Sequence, residues 1–181
     1  MGAHEVRTTF VREFIRPQPG QTILDIGCGP ADILDYLPQV DYFGFDISER
    51  YIKQARTKYE GRGRFFLKHF DEEDLRTLPS FDVVFCIGVL HHMDKATAKN
   101  VLALIKRALK PGGRVVTIDP CYAPGQLPLS KFIVSRDRGQ HVRNQEGYAE
   151  LAKGIFSDCV TQVRHQAWIP YTRCFMECTS S

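Results

Sequence analysis

Glycine and acidic residues stand at the ends of apolar segments in the first half of the chain, where they could hold a polar ligand. Gly27 and Gly29 directly follow Thr22–Ile26, an apolar and β-branched segment typical of a buried parallel strand. Glycine permits close approach of a ligand to the backbone, and Pro30 fits the first position of a helix. This order of strand, glycine loop and helix predicts a site for an anionic group at the helix N-terminus.

Two common types of glycine loop do not fit this segment. A dinucleotide fingerprint requires a third glycine, and the chain has Asp32 at that position. A nucleoside-triphosphate loop requires Gly-Lys-Ser/Thr, which does not follow. The remaining interpretation is a site for a nucleoside ligand whose other end is small and carries a carboxylate, with a plain turn as the alternative.

Three acidic residues extend this predicted site. Asp46 ends the second predicted strand, where its carboxylate can accept hydrogen bonds from a ribose diol, or can instead cap the next helix. Asp71 could accept a hydrogen bond from the exocyclic amine of adenine, or could belong only to an acidic turn. Asp25 lies inside an apolar strand, so we expect it to accept bonds from loop N–H groups or to reach a ligand ammonium through water.

Predicted strands and helices alternate over the first two thirds of the chain, which indicates a parallel sheet with helices on both faces. A helix over residues 4–15 and a linker to residue 20 precede the first strand, and a helix is expected from Pro30 to residue 37. Strand five is expected over residues 114–119, after a turn at 111–113.

The rhythm of strands and helices changes after strand five. The sequence of residues 120–144 predicts an irregular lid or substrate segment. Two final strands joined at Ile169-Pro170 predict an edge hairpin, and residues 1–181 are expected to form a single domain.

Bulk properties limit the class of protein. The chain has 181 residues and a formal net charge of +3, which is too small to favour a nucleic-acid partner. The longest apolar run, residues 83–90, is too short to span a membrane, and no signal peptide is recognisable, so we expect a cytoplasmic protein. The six cysteines lack metal-ligand spacing, so we expect no metal site and reduced, mostly buried thiols.

Four segments together resemble a known family. They are 23–30 (ILDIGCGP), 43–48 (FGFDIS), 81–93 (FDVVFCIGVLHHM) and 109–117 (LKPGGRVVT). In order and spacing the chain resembles a class I S-adenosylmethionine-dependent methyltransferase of the small-molecule type, similar to the ubiquinone/menaquinone methyltransferase group. The resemblance covers residues 20–120, and the last third of the chain is similar only in outline.

The resemblance implies a Rossmann-like α/β fold, doubly wound, with a mainly parallel seven-stranded sheet of order 3-2-1-4-5-7-6 whose last strand is antiparallel. It implies S-adenosylmethionine as the cofactor, with S-adenosylhomocysteine as the product. The glycine loop would hold the methionine part, Asp46 the ribose, and Asp71 with the Glu72 backbone the adenine. The predicted cofactor-binding residues are Asp25, Gly27, Cys28, Gly29, Asp46, Ile47, Asp71, Glu72, Cys86 and Ile87.

The expected activity is methyl transfer to an oxygen, nitrogen or carbon atom of a small-molecule acceptor. A catalytically inactive S-adenosylmethionine-binding subunit or regulator, and an RNA methyltransferase, are the alternatives. A base is needed only if the acceptor must lose a proton. The candidates for that role are His91, His141 and Tyr122, beside His92 and Asp119, although the family resemblance favours a packed structural role for the two adjacent histidines.

The segment 120–144 suggests the character of the acceptor, which would be acidic or apolar. Arg136, Arg138, Arg143 and His141 could together bind an acidic or phosphorylated molecule, or could form an ordinary charged loop. Apolar residues at four positions suggest a lid with an apolar inner side, although core packing would explain them equally: Leu127, Leu129, Phe132 and Ile133. The sequence leaves the oligomeric state open.

Overall fold

The computed structural model describes residues 7–136, 139–166 and 171–180 of the chain. Within these ranges the strands form one mixed sheet in the spatial order β3-β2-β1-β4-β5-β8-β7, and a short strand β6 pairs with β5. The strands are β1 (Thr22–Ile26), β2 (Asp41–Asp46), β3 (Arg64–Leu67), β4 (Phe81–Ile87), β5 (Leu109–Tyr122), β6 (Arg143–Asn144), β7 (Asp158–Gln166) and β8 (Tyr171–Thr179).

Helices connect these strands, and polar side chains cap three of them. The α-helices are α1 (Glu49–Lys58), α2 (Asp74–Thr77), α3 (Lys95–Ala108), α4 (Pro128–Ser135) and α5 (Gln145–Ala152). A π-helical turn occupies Val11–Ile15, and 3₁₀ turns occupy Asp32–Tyr36 and Leu90–His92. The N-terminal caps of α1, α3 and α5, each of which accepts a main-chain N–H bond, are Ser48, Asp94 and Asn144.

The sheet has the predicted topology. Strands β1 to β5 pair in parallel, whereas β8 runs antiparallel to both β5 and β7. With the two-residue β6 left out of the numbering, this is the predicted order 3-2-1-4-5-7-6, so the fold class is confirmed. The predicted hairpin link at Ile169-Pro170 lies outside the described residues.

Two apolar clusters cover the faces of the sheet, because successive side chains of a strand point to opposite sides. Helices α3 and α5 pack on one face, and α1 with the helical turn Val11–Ile15 packs on the other. The central strand β4 is buried on both faces, as its continuous apolar sequence predicts. The carboxyl ends of the parallel strands therefore share one edge, where the candidate site lies.

Three elements differ from the expectations. The helix expected from Pro30 is only the 3₁₀ turn Asp32–Tyr36, because Ala31 lies in the left-handed region (φ 58°) and its N–H bonds to the Cys28 carbonyl. Strand β5 begins at Leu109 and includes the expected turn, because Gly112 and Gly113 pair with the main chain of Ser180.

The third difference is α4, which forms inside the segment expected to be irregular. Pro128 occupies the first turn of this helix, where its missing N–H costs nothing. Ser130 and Val134 are its buried residues, four positions apart, so the helix has one inward stripe against the sheet. A stripe of only two residues was too short to indicate a helix from the sequence.

The prediction of reduced cysteines is wrong for one pair. Cys159 on β7 and Cys178 on β8 are directly paired in the hairpin register, and their sulfur atoms form a disulfide. Their separation of 19 residues along the chain carries no local signal, so only the strand register reveals the pair. The remaining cysteines are free and buried, as expected: Cys28, Cys86, Cys121 and Cys174. In the described ranges, no helix combines the length and apolar character needed to cross a membrane.

Candidate functional site

The glycine loop after β1 is fastened to the end of β2. The N–H groups of Gly27 and Cys28 both donate to the Phe45 carbonyl, at 2.8 and 3.0 Å, and the Gly29 N–H donates to Oδ2 of Asp46 at 2.9 Å. These donors are therefore used within the protein. The expectation that they hold an anion at a helix N-terminus is wrong, since neither the free donors nor the helix are formed.

The two glycines of the loop serve different purposes. Gly27 has a φ of 77°, and a Cβ placed on it would lie 2.5 Å from a methyl carbon of Val89, so this position allows the loop to pack beneath the segment after β4. Gly29 has a φ of 54°, and a Cβ placed there would meet no atom within 4 Å. The space above Gly29 is open, and a ligand can approach the backbone there.

Asp46 is oriented by the backbone around it. Its Oδ2 accepts from the Gly29 N–H and its Oδ1 accepts from the Ser48 N–H at 2.8 Å. Each carboxylate oxygen retains a second lone pair. The half-buried Asp46 carboxylate is thus held rigidly beside the open space over Gly29, with capacity for two hydroxyl donors.

Asp25 is a buried carboxyl group below the loop. Its Oδ2 accepts a 2.6 Å hydrogen bond from the Tyr42 hydroxyl, and its Oδ1 has no partner among the described residues. Burial raises the pKa of Asp25 to about 7, against the opposing effect of the Tyr42 bond. The expected bonds from loop N–H groups are not found, because those donors bond to β2. The unpaired Oδ1 fits a water or a ligand ammonium.

Large apolar side chains are exposed at this otherwise polar edge. Ile47 follows β2, Leu67 ends β3 and Ile87 ends β4, and they are 66%, 44% and 38% exposed. Burying such side chains under a flat apolar ligand removes apolar area from water. Together with the opening over Gly29 and the unpaired oxygen of Asp25, they fit an adenosyl ligand that carries an ammonium group.

Asp71 belongs to the capped turn before α2, the alternative that the sequence left open. Its Oδ1 accepts from the N–H groups of Glu73 and Asp74 at 2.9 and 3.3 Å. Lys68, 3.0 Å from Oδ2, is the main cause that lowers the pKa of Asp71. The neighbouring Glu72 side chain forms an exposed ion pair with Arg107. The predicted contact of Asp71 and the Glu72 backbone with adenine stays a prediction.

The two free cysteines among the predicted cofactor residues carry neutral thiols. Burial is the main cause that raises the pKa of both Cys28 and Cys86 above the ordinary thiol value. Cys86 is fully buried on the α3 side of the sheet, so only its main chain can face a ligand. Neither thiol is therefore a nucleophile in this arrangement.

His91 and Asp119 form a buried pair between the ends of β4 and β5. The Asp119 Oδ1 lies 2.8 Å from Nδ1 of His91 and also accepts the His91 backbone N–H at 3.1 Å. The two residues are 4% and 1% exposed, which agrees with the packed role that the sequence left open for His91. This pair fixes the turn Leu90–His92 against β5, at the edge of the candidate site.

A segment over residues 139–144 lies against this turn. The His141 N–H donates to the His91 carbonyl at 2.9 Å, and the Arg143 guanidinium donates to the carbonyls of Leu90 and Met93 at 3.0 and 2.7 Å. Arg143 therefore binds main-chain carbonyls, and its expected role toward an acidic acceptor stays a prediction. Arg138 lies outside the described residues. The sequence contained no signal for this contact, which joins residues about 50 positions apart.

Tyr122, the third candidate base, ends β5 and lines a cavity of about 880 Å³ together with residues of α4. Phe132 of this lid segment also lines the cavity, whereas Leu127 and Leu129 are exposed to solvent. The structure thus brings Gly29, Asp46 and Asp25 together at one edge of the sheet. It leaves Tyr122 at the end of β5, with the lid beyond it.

Comparisons with known proteins point to one family. The profile of the methyltransferase domain family matches residues 24–115. The chain is 32% identical over 154 residues to an O-methyltransferase of Penicillium expansum, covering 74% of this chain and 54% of that protein. It is 35% identical over 167 residues to an O-methyltransferase of Pyrenophora dematioidea, covering 82% of this chain and 62% of that protein.

A solved structure shows the same fold. Magnesium protoporphyrin IX methyltransferase from Synechocystis PCC 6803, with bound S-adenosylhomocysteine, superposes with a TM-score of 0.68 at 20% identity. The match covers 99% of this chain and 84% of that one. The chain spans only 54% and 62% of the length of the two curated relatives above.

Proposed function

Because the chain belongs to the methyltransferase domain family, we propose that it transfers a methyl group from S-adenosylmethionine to a small-molecule acceptor. The observation that carries this proposal is the Asp46 carboxylate, fixed by two backbone N–H groups beside the open space over Gly29. That arrangement suits a ribose diol lying across the glycine loop.

Different residues at this edge of the sheet bind different parts of the cofactor. Asp46 accepts from the ribose hydroxyls, and Ile47, Leu67 and Ile87 cover apolar parts of the ligand. The unpaired, buried Oδ1 of Asp25 receives the ammonium end through a water. Asp71 and the Glu72 backbone lie at the end of β3, where the adenine is expected.

Catalysis in this proposal rests on positioning. When bound, S-adenosylmethionine supplies an activated methyl group for in-line displacement. The chain holds the donor at a fixed edge of the sheet, which lowers the entropic cost of bringing two reactants together. His91, held on Asp119, acts as a positioning residue that keeps the turn after β4 in place. A base is required only for an acceptor that must lose a proton.

Calorimetric titration with S-adenosylmethionine, S-adenosylhomocysteine and NAD tests this proposal. Binding of both adenosyl ligands without binding of NAD is the expected result, because the glycine loop lacks the third glycine of a dinucleotide site. Binding of NAD alone, or of none of the three, would refute the cofactor assignment.

Turnover is a separate measurement. Release of S-adenosylhomocysteine in the presence of small-molecule acceptors supports the enzyme. A protein that binds both adenosyl ligands but produces no S-adenosylhomocysteine with any acceptor of a broad panel supports the binding subunit or regulator instead.

A further inference from the structure

A cavity of about 880 Å³ lies beyond the carboxyl end of β5, outside the predicted cofactor residues. One wall is the chain turn over residues 122–126, and the other is formed by Pro128, Lys131, Phe132 and Ser135 of α4. These four positions are spaced by three, one and three residues, so they form one face of the helix. The cavity is therefore a cleft between a turn and a helix face, of a size that holds a small molecule.

Hydrogen bonds that are partly or fully buried hold both walls in place. Gln126 receives the Ala123 N–H on Oε1 and donates from Nε2 to the Cys121 carbonyl and to the Ser130 hydroxyl. The Ser130 hydroxyl is bonded in turn to that of Thr172 on β8, at 3.0 Å, and both residues are buried. The turn and α4 are thus tied to the sheet, so the cleft is formed before any ligand arrives.

The side chains that line the cleft favour an anionic ligand. Among the described residues that line the cleft, Lys131 is the one with a full charge at neutral pH, and none of them is a carboxylate. Phe132, 56% exposed, places an aromatic ring beside it, and the Arg136 guanidinium lies over that ring at 5.1 Å from its centroid. An exposed aromatic ring beside two cationic side chains suits a flat apolar molecule that carries a negative charge.

The cleft lies further along β5 than the edge of the sheet where the cofactor is proposed to bind. Ile118 of β5 pairs with Ile87 at the end of β4, and Tyr122 lies four residues further along β5. At about 3.3 Å per residue, the cleft begins roughly 13 Å beyond the level of Ile87. A molecule bound here with its anionic group at Lys131 can extend back toward the edge of the sheet.

We propose that this cleft binds the methyl acceptor, an aromatic molecule with a carboxylate or phosphate group, through Phe132 and Lys131. This inference rests on the proposed methyltransferase function and adds the class of its acceptor. The anionic group of the acceptor binds Lys131, at a distance from the atom that accepts the methyl group. Remote binding energy of this kind positions the acceptor without taking part in the transfer.

The test measures dissociation constants for three probes by ligand-detected NMR: benzoate, phenyl phosphate and the neutral benzyl alcohol. In Lys131→Gln the two anions should bind roughly threefold or more weakly, while benzyl alcohol is unchanged, because only the anions lose a charge partner. In Phe132→Ala all three probes should bind more weakly, because each loses contact with the ring. The relative loss for benzoate and phenyl phosphate distinguishes a carboxylate from a phosphate acceptor.

Two matched variants control for general effects. Leu129→Ala shortens a side chain of similar exposure (59%) on the same helix outside the cleft, and Lys153→Gln removes a distant exposed lysine charge. Neither should change the affinity for any probe. Equal loss of anion binding in Lys131→Gln and Lys153→Gln, or no loss in either, would overturn the inference.

Titration of the same variants with S-adenosylhomocysteine separates this inference from the proposed function. Wild type and all four variants should bind it equally, since none of the substituted residues is assigned to the cofactor. Intact S-adenosylhomocysteine binding without any effect of Lys131→Gln on the anions refutes the acceptor class alone. Failure of wild type to bind S-adenosylhomocysteine refutes the methyltransferase proposal, whatever the probes do.

Discussion

Asp25 shows how one residue of the site combines structural and binding roles. The Tyr42 hydroxyl satisfies one of its carboxyl oxygens, and the other is buried without a partner among the residues described. An unpaired buried carboxylate is costly, so the carboxyl group holds its proton up to a pH of about 7. A ligand ammonium at Oδ1 would favour the charged form and so repay part of the cost of burial.

The raised pKa of Asp25 predicts a pH dependence of stability in the free protein. Between pH ~4, the ordinary carboxyl value, and pH ~7, the folded protein keeps this proton and the unfolded chain loses it. The free energy of unfolding should therefore fall as pH rises through this window, with a limiting slope of about 1.4 kcal/mol per pH unit from this group. Urea denaturation at several pH values should show a flatter profile for Asp25→Asn.

Asp35→Asn is the matched control for this measurement. The Asp35 side chain is exposed, and the ion pair with Lys58 is the main cause that lowers its pKa. Its stabilising effect is present above its unfolded pKa and is lost only at more acidic pH, so removing it should not flatten the profile between pH ~4 and ~7. A profile for Asp25→Asn that matches wild type would contradict the raised pKa.

Gly29 allows a test of ligand approach that is separated from backbone strain. Gly29 and Gly61 have φ values of 54° and 74°, and a Cβ on either would meet no atom within 4 Å. Alanine at each position should cost a similar 1–2 kcal/mol of stability, because both backbones are left-handed. Only Gly29→Ala should weaken S-adenosylhomocysteine binding, by roughly tenfold or more, because its methyl group occupies the space over the loop. Equal affinities of the two variants would place the ligand elsewhere.

At the residue scale, the sequence predicted which positions reach the edge but not what each bonds to. Gly29 and Asp46 were placed correctly, because the end of a strand can be read from where its apolar residues stop. The bonds of the loop N–H groups to Phe45 and Asp46 could not be predicted, since they depend on the register between β1 and β2. Tyr42 as the partner of Asp25 depends on that register too.

Residues 139–144 form the element that connects the lid to the edge of the sheet. Gly139 lies so close to His91 that a Cβ on it would overlap the imidazole ring. Arg143 then bonds to the carbonyls of Leu90, the first residue of the turn Leu90–His92, and of Met93, the residue after it. The segment therefore holds the turn after β4 on one side, while Asp119 holds it on the other.

Arg143→Met should lower the free energy of unfolding by about 1–3 kcal/mol, because it leaves the carbonyls of Leu90 and Met93 without this donor. Arg136→Met is the control, since Arg136 is exposed at the end of α4 and should change stability by no more than about 0.5 kcal/mol. Urea denaturation measures both values. A loss in Arg143→Met no larger than in the control would mean that this contact does not fasten the segment.

At the element scale, strands were easier to predict than the segments between them. β1 has the predicted bounds and β2 ends at Asp46 as predicted, because the apolar residues of each strand stop at a clear break. The turn after the glycine loop was mistaken for a helix, because Pro30 is equally suited to a tight turn. Helix α4 was missed, because its inward stripe has only two buried residues.

The molecule as a whole is an α/β sheet whose ligand-binding edge follows from its topology. The order of the sheet reverses between β1 and β4, and in such sheets ligands bind beyond the carboxyl ends of the strands at this point. The fold carries no information about the acceptor, because many chemistries share it. The class of the acceptor is therefore inferred from the cleft beside α4 and from the positive charge of Lys131 in its lining.

The proposed adenosyl cofactor binds at the carboxyl ends of β1 and β2. Calorimetric titration of Asp46→Ala and Asp41→Ala with S-adenosylhomocysteine tests this placement, because these carboxylates stand at opposite ends of the same strand. We expect Asp46→Ala to lose at least about tenfold in affinity, whereas Asp41→Ala should bind like wild type. Circular dichroism would establish that both variants are folded. Unchanged affinity in a folded Asp46→Ala protein would contradict the assignment of the site.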